Sequence, residues 1–289
     1  MSDAYTHELD VVRRAARDAA KAVMEVHDAV GRGDSELGVV QKADDRGPVT
    51  EADRRANRVV VAALREAFPE DAILSEESAD DMGRLTADRY WCIDPLDGTK
   101  EFIRRNGEFA VMVALVERAS GRPVVGAVAE PATGRLTWAT LGGGTWTEDA
   151  PGADPRRLRV TDHGTPDTIQ IIVSRSHPDD ELKSFMAHLG TERVTPCGSV
   201  GVKIGRIAQE KADLYVNFGG RTCFWDTCAP ELLLSEAGGR FTNIDGELLD
   251  YRLEDTTNHA VLIASNGACH ELALEAARAA VKAHRGQAQ

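Results

Sequence analysis

The sequence lacks the features that would place a protein in or across a membrane. No apolar run approaches the length of about 18 residues that a membrane-spanning helix needs, so we expect no transmembrane segment. The first eight residues are polar and acidic, without the basic and apolar regions of a signal peptide. From these two absences we expect a cytoplasmic protein.

Cysteine is also scarce, and negative charge outweighs positive charge, with 47 Asp and Glu against 34 Lys and Arg. The five cysteines are scattered and odd in number, and no two form a C-x-x-C pair, so we expect buried reduced thiols and neither a disulfide framework nor a structural zinc site. The formal net charge is −13. A negative field of this kind opposes binding to nucleic acids and to anionic membranes. An anionic substrate would therefore need a local source of positive charge, such as bound divalent cations.

What the sequence does have is an apolar stretch that ends in carboxylates. Residues 90–93 have strand character, and Pro95 cannot donate to a sheet ladder, so we expect the strand to end at Asp94. Residues 97–99 (Asp-Gly-Thr) are typical of a tight turn, and a short helix over residues 100–104 should follow. Carboxylates hold divalent cations and helix starts attract phosphate, so one loop could bind both. The alternative is a simple turn, since Asp-Pro and Asp-Gly are common turn dipeptides.

Periodicity along the chain predicts mixed α and β structure. Apolar residues at helical spacing indicate helices over residues 6–30 and 51–67, the second opened by a capping box in which Asp53 pairs with Thr50. Neighbouring strands fill residues 109–141, whereas strands and helices alternate afterwards. This pattern favours an α/β (α+β) fold of layered sheets and helices over a purely doubly wound sheet.

The second half of the chain gives its own set of expectations. The loop-like residues 148–155 suggest a division into an N-terminal half, 1–155, and a C-terminal half, 156–289. We expect a strand over residues 168–173 and a helix over residues 227–237, with Asp226 at its cap position.

Acidic residues follow probable strand ends or open helices at four places: Asp45, Glu76, the pair Asp94 and Asp97, and Asp226. Taken one at a time, Asp45 can be a solvated loop acid, Glu76 an exposed residue and Asp226 a helix cap. Strand ends of layered folds converge on one crevice, however, and carboxylates meeting there would repel one another unless cations intervene. Oxygen ligands without His or Cys favour Mg²⁺ or Mn²⁺, and paired ions of this kind suit hydrolysis of phosphate esters.

Five segments resemble the signatures of the lithium-sensitive, magnesium-dependent phosphomonoesterase superfamily that includes inositol monophosphatase. They are residues 94–99 (Asp-Pro-Leu-Asp-Gly-Thr), 225–230 (Trp-Asp-Thr-Cys-Ala-Pro) with 236–239, 47–53, 74–78 and the region of Lys203. Within the superfamily, residues 100–109 are similar to the 3′(2′),5′-bisphosphate nucleotidases of the CysQ type.

The resemblance implies a five-layered αβαβα sandwich of the inositol monophosphatase and fructose-1,6-bisphosphatase type. It also implies an enzyme of sulfur assimilation that hydrolyses the 3′-phosphate of 3′-phosphoadenosine 5′-phosphate. Two or three Mg²⁺ ions would activate the attacking water. Mn²⁺ is expected to substitute, and Li⁺ and Ca²⁺ to inhibit. A phosphatase acting on inositol phosphates or other sugar phosphates, a non-catalytic nucleotide or metal sensor and a purely structural acidic domain are the alternatives. We expect a small phosphorylated nucleotide as the partner and either a monomer or a homodimer.

Site roles follow from the resemblance position by position. The metal ligands would be the side chains of Glu76, Asp94, Asp97 and Asp226 and the carbonyl of Leu96. Asp94 would bridge two ions.

The catalytic roles come from the same comparison. Asp45, or Asp44 beside it, would orient the attacking water together with Thr99. The N–H groups of Gly98 and Thr99 would bind the scissile phosphate.

The substrate pocket is expected to include Ser176, His177, Gly198, Ser199, Lys203 and Arg221. Lys203 and Arg221 are the cationic partners for a 5′-phosphate.

Overall fold

The structure, a computed structural model, describes residues 3–34, 36–42, 47–175, 180–219 and 222–285. Seven α-helices lie within these ranges: α1 Thr6–Arg32, α2 Glu51–Ala67, α3 Thr99–Arg104, α4 Asp180–Leu189, α5 Val200–Ala208, α6 Phe224–Glu236 and α7 His270–Arg285. Short 3-10 turns cover Asp3–Tyr5 and Gly83–Leu85. None of the described helices combines the length and the apolar character needed to cross a bilayer.

The strands of the described residues form two main sheets and two short pairs. In chain order they are β1 Val40–Gln41, β2 Pro48–Val49, β3 Ala72–Ser75, β4 Arg89–Asp97, β5 Ala110–Glu117, β6 Arg122–Glu130, β7 Arg135–Thr140, β8 Gly144–Glu148, β9 Arg156–Arg157, β10 Ile171–Ser174, β11 Val194–Cys197, β12 Leu214–Asn217, β13 Thr222–Cys223, β14 Arg240–Asn243, β15 Thr257–Asn258 and β16 Leu262–Ser265.

The larger sheet has seven strands in the order β3-β4-β5-β6-β7-β8-β9. Only its first pair, β3 and β4, is parallel; every following pair is antiparallel, which confirms the meander predicted for the middle of the chain. The second sheet has the order β11-β10-β12-β16-β14 and mixes parallel and antiparallel pairs.

Helices and sheets stack in five layers. α1 and α2 cover one face of the large sheet, and their apolar side chains share a core with that face. α5 and α6 lie between the two sheets, where a second core joins the other face of the large sheet to the inner face of the smaller one. α4 and α7 cover the outer face of the smaller sheet. The expected αβαβα order of layers is therefore confirmed.

The helices of the first layer match the sequence prediction closely. α1 runs two residues past the expected end, to Arg32, and stops at Gly33 in the left-handed conformation with φ of 79°. α2 spans residues 51–67 as predicted. Thr50 caps it, and the Asp53 carboxylate accepts a hydrogen bond from the Thr50 N–H at 2.7 Å, so the capping box is confirmed.

Strand β4 corrects one prediction. The strand does not stop at Asp94 but continues through Pro95 to Asp97, and its pairing with β5 shifts register between Asp94 and Asp97. The missing N–H of proline is tolerated because a bulge leaves that residue out of the ladder. Asp94 and Asp97 thus lie on either side of the bulge, and both are buried.

Helix α6 corrects a second prediction. It begins at Phe224, three residues before the expected start, so Asp226 lies in its first turn and not at the cap. Cys223 holds the cap position because it is extended in β13, which pairs with β15. In the C-terminal half, β10 begins three residues later than predicted, at Ile171.

Candidate metal and phosphate site

Three aspartates meet where the large sheet approaches α6. Asp94 and Asp97 come from the bulged end of β4, and Asp226 comes from the first turn of α6. Each offers a carboxylate oxygen, and these oxygens all lie within 4.8 Å of one another. The structure thus brings together three of the residues expected to bind metal, although Asp226 is far from the other two in sequence.

Backbone and hydroxyl groups hold one oxygen of each aspartate. Asp94 Oδ1 accepts from the Leu96 N–H at 3.0 Å, and Asp226 Oδ2 accepts from the Cys223 N–H at 2.5 Å. Asp97 Oδ2 accepts from the Ser199 hydroxyl at 2.6 Å and the Gly201 N–H at 2.7 Å. The carboxylates are therefore fixed in place by the fold itself, which is the support that a metal site requires.

Glu76 completes the cluster from the end of β3. Its carboxylate lies within hydrogen-bonding reach of Asp94, and Lys42 Nζ donates to Glu76 Oε1 at 2.7 Å. Lys42 thus places a cation beside the acids. Two adjacent strands, β3 and β4, end in acids that touch, as the repeated sequence pattern predicts.

The electrostatics of the cluster favour a divalent cation. Burial, followed by repulsion from the neighbouring carboxylates, raises the pKa of Asp94 and of Asp226 well above the usual value for aspartate. Burial also raises the pKa of Asp97, against the opposing effect of its hydrogen bonds from Ser199 and Gly201. Acids that resist losing their protons together are stabilised when a cation neutralises them. An all-oxygen donor set of this size fits Mg²⁺, Mn²⁺ or Ca²⁺ and not zinc.

Thr99 opens α3 beside the cluster and is bonded to a buried acid. Its hydroxyl donates to Asp53 Oδ1 at 3.0 Å and lies 3.2 Å from the Leu96 carbonyl oxygen. Burial raises the pKa of Asp53 to about 6, although bonds from Thr50 and Thr99 act in the opposite direction. A hydroxyl bonded to a carboxylate can pass a proton to it, so this pair has the chemistry of a general base.

A cavity of about 670 Å³ extends from the acids to the smaller sheet. The predicted residues Gly98, Thr99, Gly198, Ser199 and Lys203 line it, together with Glu76, Asp94, Leu96, Asp97 and Asp226. Four predicted residues, Asp45, Ser176, His177 and Arg221, lie outside the described residues, as does the alternative Asp44.

Comparison with known proteins identifies the family. The model of the inositol monophosphatase family matches residues 8–282. The chain belongs to the inositol monophosphatase family.

Among curated proteins of this family, the CysQ 3′(2′),5′-bisphosphate nucleotidase of Escherichia coli K12 is 38% identical over 244 residues, which cover 84% of this chain and 93% of that protein. A 3′-phosphoadenosine 5′-phosphate phosphatase of Mycobacterium bovis is 37% identical over 207 residues, or 70% of this chain and 72% of the relative.

Solved structures of the family agree in fold. CysQ from Bacteroides thetaiotaomicron superposes with a TM-score of 0.76 at 31% identity, covering 91% of this chain and 98% of the other. An IMPase from Thermotoga maritima superposes with a TM-score of 0.78 at 26% identity, covering 95% and 98% of the two chains. The inositol monophosphatase family is metal-dependent, and the clustered acids provide a place for the metal.

Sequence reasoning missed the contact that Asp53 makes in this family member. The sequence predicts only a capping role for Asp53. In the structure Oδ2 accepts from the Thr50 N–H and hydroxyl, and Oδ1 accepts from the Thr99 hydroxyl. No local signal in the sequence indicates this contact, because Thr99 lies 46 residues away and the burial of Asp53, at 1% exposed, is a property of the fold. Lys42 was also missed, as a cation beside an acidic loop is usually solvated.

Proposed function

We propose that this protein is a Mg²⁺-dependent phosphatase that removes the 3′-phosphate of 3′-phosphoadenosine 5′-phosphate to give AMP, as in sulfur assimilation. The observation that carries the proposal is the convergence of Asp94, Asp97 and Asp226 next to the bonded pair Thr99 and Asp53. The names of the relatives from Escherichia coli and Mycobacterium bovis supply the substrate.

The metal ligands in this proposal are Glu76, Asp94, Asp97 and Asp226 with the Leu96 carbonyl. When bound, divalent cations would act as Lewis acids that activate water and neutralise charge on the phosphate. The negative net charge of the chain makes this neutralisation necessary for an anionic substrate. Mn²⁺ should substitute for Mg²⁺, whereas Ca²⁺ and Li⁺ should inhibit.

Thr99 would accept the proton of the attacking water while its own proton moves to Asp53 Oδ1. The hydroxyl already donates to that oxygen, so the proton has a short route to a carboxylate whose pKa burial raises to about 6. Asp45 remains a predicted partner of the same water. The scissile phosphate would lie against the N–H groups of Gly98 and Thr99 at the start of α3.

The other end of the cavity suits a nucleotide. Lys203 lines the cavity with Nζ 5.0 Å from the ring centroid of Tyr215, and burial lowers the pKa of this lysine, against the opposing effect of the Asp97 charge. An anionic 5′-phosphate would favour the charged form of Lys203. Leu182 and Phe218 also line the cavity and offer apolar surface to a flat base. Ser176, His177 and Arg221 stay predicted parts of this end.

Parallel kinetics on three substrates tests the proposal. The purified protein in Mg²⁺ should hydrolyse 3′-phosphoadenosine 5′-phosphate with a higher kcat/KM than inositol 1-phosphate or fructose 1,6-bisphosphate. Preference for inositol 1-phosphate would assign the site to the other activity of the family. Tight nucleotide binding without phosphate release would indicate a sensor.

The proposed division into halves at residue 155, with the metal ligands mostly in the first, can be examined by expressing each half separately.

A further inference from the structure

Glu108 lies outside the cavity lining and joins the segment after α3 to two segments beside the smaller sheet. It follows α3, and its carboxylate Oε2 accepts from the N–H of Gly198, in the loop before α5, at 2.7 Å. Arg175, at the end of β10, donates to the same carboxylate through Nε at 3.1 Å and through Nη2 at 2.9 Å. One side chain of the large-sheet segment therefore binds two separate segments next to the smaller sheet.

The loop that Glu108 holds carries a group that fixes a metal-site acid. Ser199, next to Gly198, donates its hydroxyl to Asp97 Oδ2 at 2.6 Å and accepts from the Val202 N–H as the cap of α5. Its backbone has φ of 40°, a conformation that non-glycine residues adopt only when their surroundings enforce it. The position of Ser199 thus depends on an anchor outside the loop.

Gly198 shows how closely this anchor fits. A Cβ atom there would lie 2.2 Å from Glu101 Cγ and 3.0 Å from the Glu108 carbonyl oxygen. The same carbonyl oxygen lies 2.8 Å from the place of a Cβ on Gly98. Burial alone would raise the pKa of Glu108, but the bonds from Arg175 and Gly198 hold it below its usual value, so the carboxylate is charged at neutral pH.

We propose that Glu108 is a positioning residue for the metal site: it fixes the Gly198–Ser199 loop so that Ser199 and the Gly201 N–H hold one oxygen of Asp97 and leave the other directed at the cation. This inference rests on the proposed role of Asp97 as a metal ligand. The ion pair of Glu108 and Arg175 would then contribute to metal affinity as well as to stability.

Calorimetric binding of Mn²⁺ to the full chain, without substrate, tests the inference. Loss of an outer partner of a ligand typically weakens metal affinity about 10–100-fold, and we expect a loss of this size in Glu108→Ala. Glu108→Gln keeps an oxygen for the Gly198 N–H and should recover most of the affinity. In turnover assays, Glu108→Ala should raise the half-saturating Mg²⁺ concentration more than it lowers kcat at saturating Mg²⁺.

A double-mutant cycle separates positioning from general destabilisation. Ser199→Ala should weaken Mn²⁺ binding as well, and the double variant should lose little more than either single one, because both changes act through the same contact to Asp97. Asp149→Ala is the matched control, since Asp149 forms a similar two-bond pair with Arg156 in an exposed region. It should leave Mn²⁺ affinity unchanged.

Two results would overturn the inference: wild-type Mn²⁺ affinity in Glu108→Ala, or additive losses in the double variant. Thermal unfolding of each variant shows whether it is folded. If Glu108→Ala is not, Glu108→Met replaces it, because Met keeps the length of the side chain but offers no oxygen to the Gly198 N–H and should show the same loss of affinity. A wild-type chain that binds Mn²⁺ but hydrolyses a different phosphate ester would refute the proposed substrate and leave the role of Glu108 intact.

Discussion

Asp53 and Thr99 form the contact that most directly concerns the proposed chemistry. The two residues are 46 positions apart, and their bond puts a buried carboxylate behind the hydroxyl that faces the cavity. An amide at this position keeps the shape of the side chain but cannot accept a proton. Asp53 therefore offers a test in which geometry is nearly preserved and chemistry is removed.

In Asp53→Asn we expect kcat at saturating Mg²⁺ to fall by about 100-fold or more, because the proton of Thr99 has no carboxylate to move to. At neutral pH and without metal, removing the buried charge of Asp53 should raise the free energy of unfolding by more than the roughly 1 kcal/mol that the lost part of the capping box contributes. Steady-state kinetics and urea unfolding measure the two effects. Glu51→Gln, in the same helix turn and paired with the surface arginines Arg55 and Arg58, should keep its activity. Unchanged turnover in Asp53→Asn would remove this pair from the mechanism.

The buried acids also determine how stability depends on pH. Asp53 has a pKa of about 6 in the folded protein, against an ordinary value of 3.8, so the folded state binds its proton more tightly than the unfolded state does. The metal-free protein should accordingly lose stability as pH rises from about 4 to about 6, by about 3 kcal/mol for this group alone. Burial of Asp94 and Asp226 acts in the same direction.

Melting temperatures with Mg²⁺ and with a chelator, at pH 5 and pH 7.5, check this prediction. Mg²⁺ should raise Tm more at pH 7.5, because protons compete with the cation for the same carboxylates at pH 5. The chelated protein should melt at a higher temperature at pH 5 than at pH 7.5. An equal Mg²⁺ effect at both values would show that the carboxylates near the cation site do not titrate in this range.

At the scale of the elements, the turn between β4 and α3 brings the acids and the helix start together. Gly98 makes it possible, since its φ is 92° and it lies against the backbone of Glu108. The sequence predicts a tight turn here, but it indicates neither the positive φ of Gly98 nor its close approach to Glu108. A substitution there tests how much of the site depends on the close approach.

Gly98→Ala should destabilise the protein by about 1–2 kcal/mol through its positive φ and by a further 1–3 kcal/mol, roughly, through overlap with the Glu108 carbonyl. Activity should fall with it, because Thr99 moves with the turn. Gly152→Ala is the control: its φ is 80°, but a Cβ there meets nothing within 4 Å, so only the first penalty applies. Equal losses in the two variants, measured by urea unfolding, would contradict the argument.

Local signals account for the elements that the sequence predicted well. The capping box of Thr50 and Asp53 lies within one helix turn, and the apolar spacing of α1 repeats over its whole length, so both could be read directly. The bulge at Pro95 and the start of α6 could not, because each depends on a distant strand: β5 in the first case and β15 in the second. The sequence predicts the acids of the site. It does not predict the hydrogen bond between Thr99 and Asp53, because that bond joins residues that only the fold brings together.

At the scale of the whole molecule, the site lies between layers and draws on both sheets. The large sheet and its helices supply Glu76, Asp94 and Asp97, while α6 supplies Asp226 and the smaller sheet completes the cavity. Metal binding should therefore stabilise the entire chain as one unit, and the acids that bind metal should oppose folding when it is absent.

Asp94→Asn should abolish turnover while the fold remains, since this residue lies at the centre of the acids. Without metal, removing one buried and repelled carboxylate should raise the free energy of unfolding by about 1 kcal/mol or more. Mg²⁺ at about 100 times its Kd should stabilise the wild type by about 2.7 kcal/mol and the variant far less. Asp18→Asn, at an exposed surface pair, should behave as wild type in the same urea titrations. Retained activity in Asp94→Asn would end the proposed mechanism.

The bond from Ser199 to Asp97 spans 102 residues of chain. A ribosome synthesises Glu76, Asp94 and Asp97 well before it reaches Ser199 and Asp226, so a growing polypeptide carries the early acids without the groups that hold them. The active site is therefore completed late in translation. An N-terminal fragment released before that point would not hydrolyse phosphate esters.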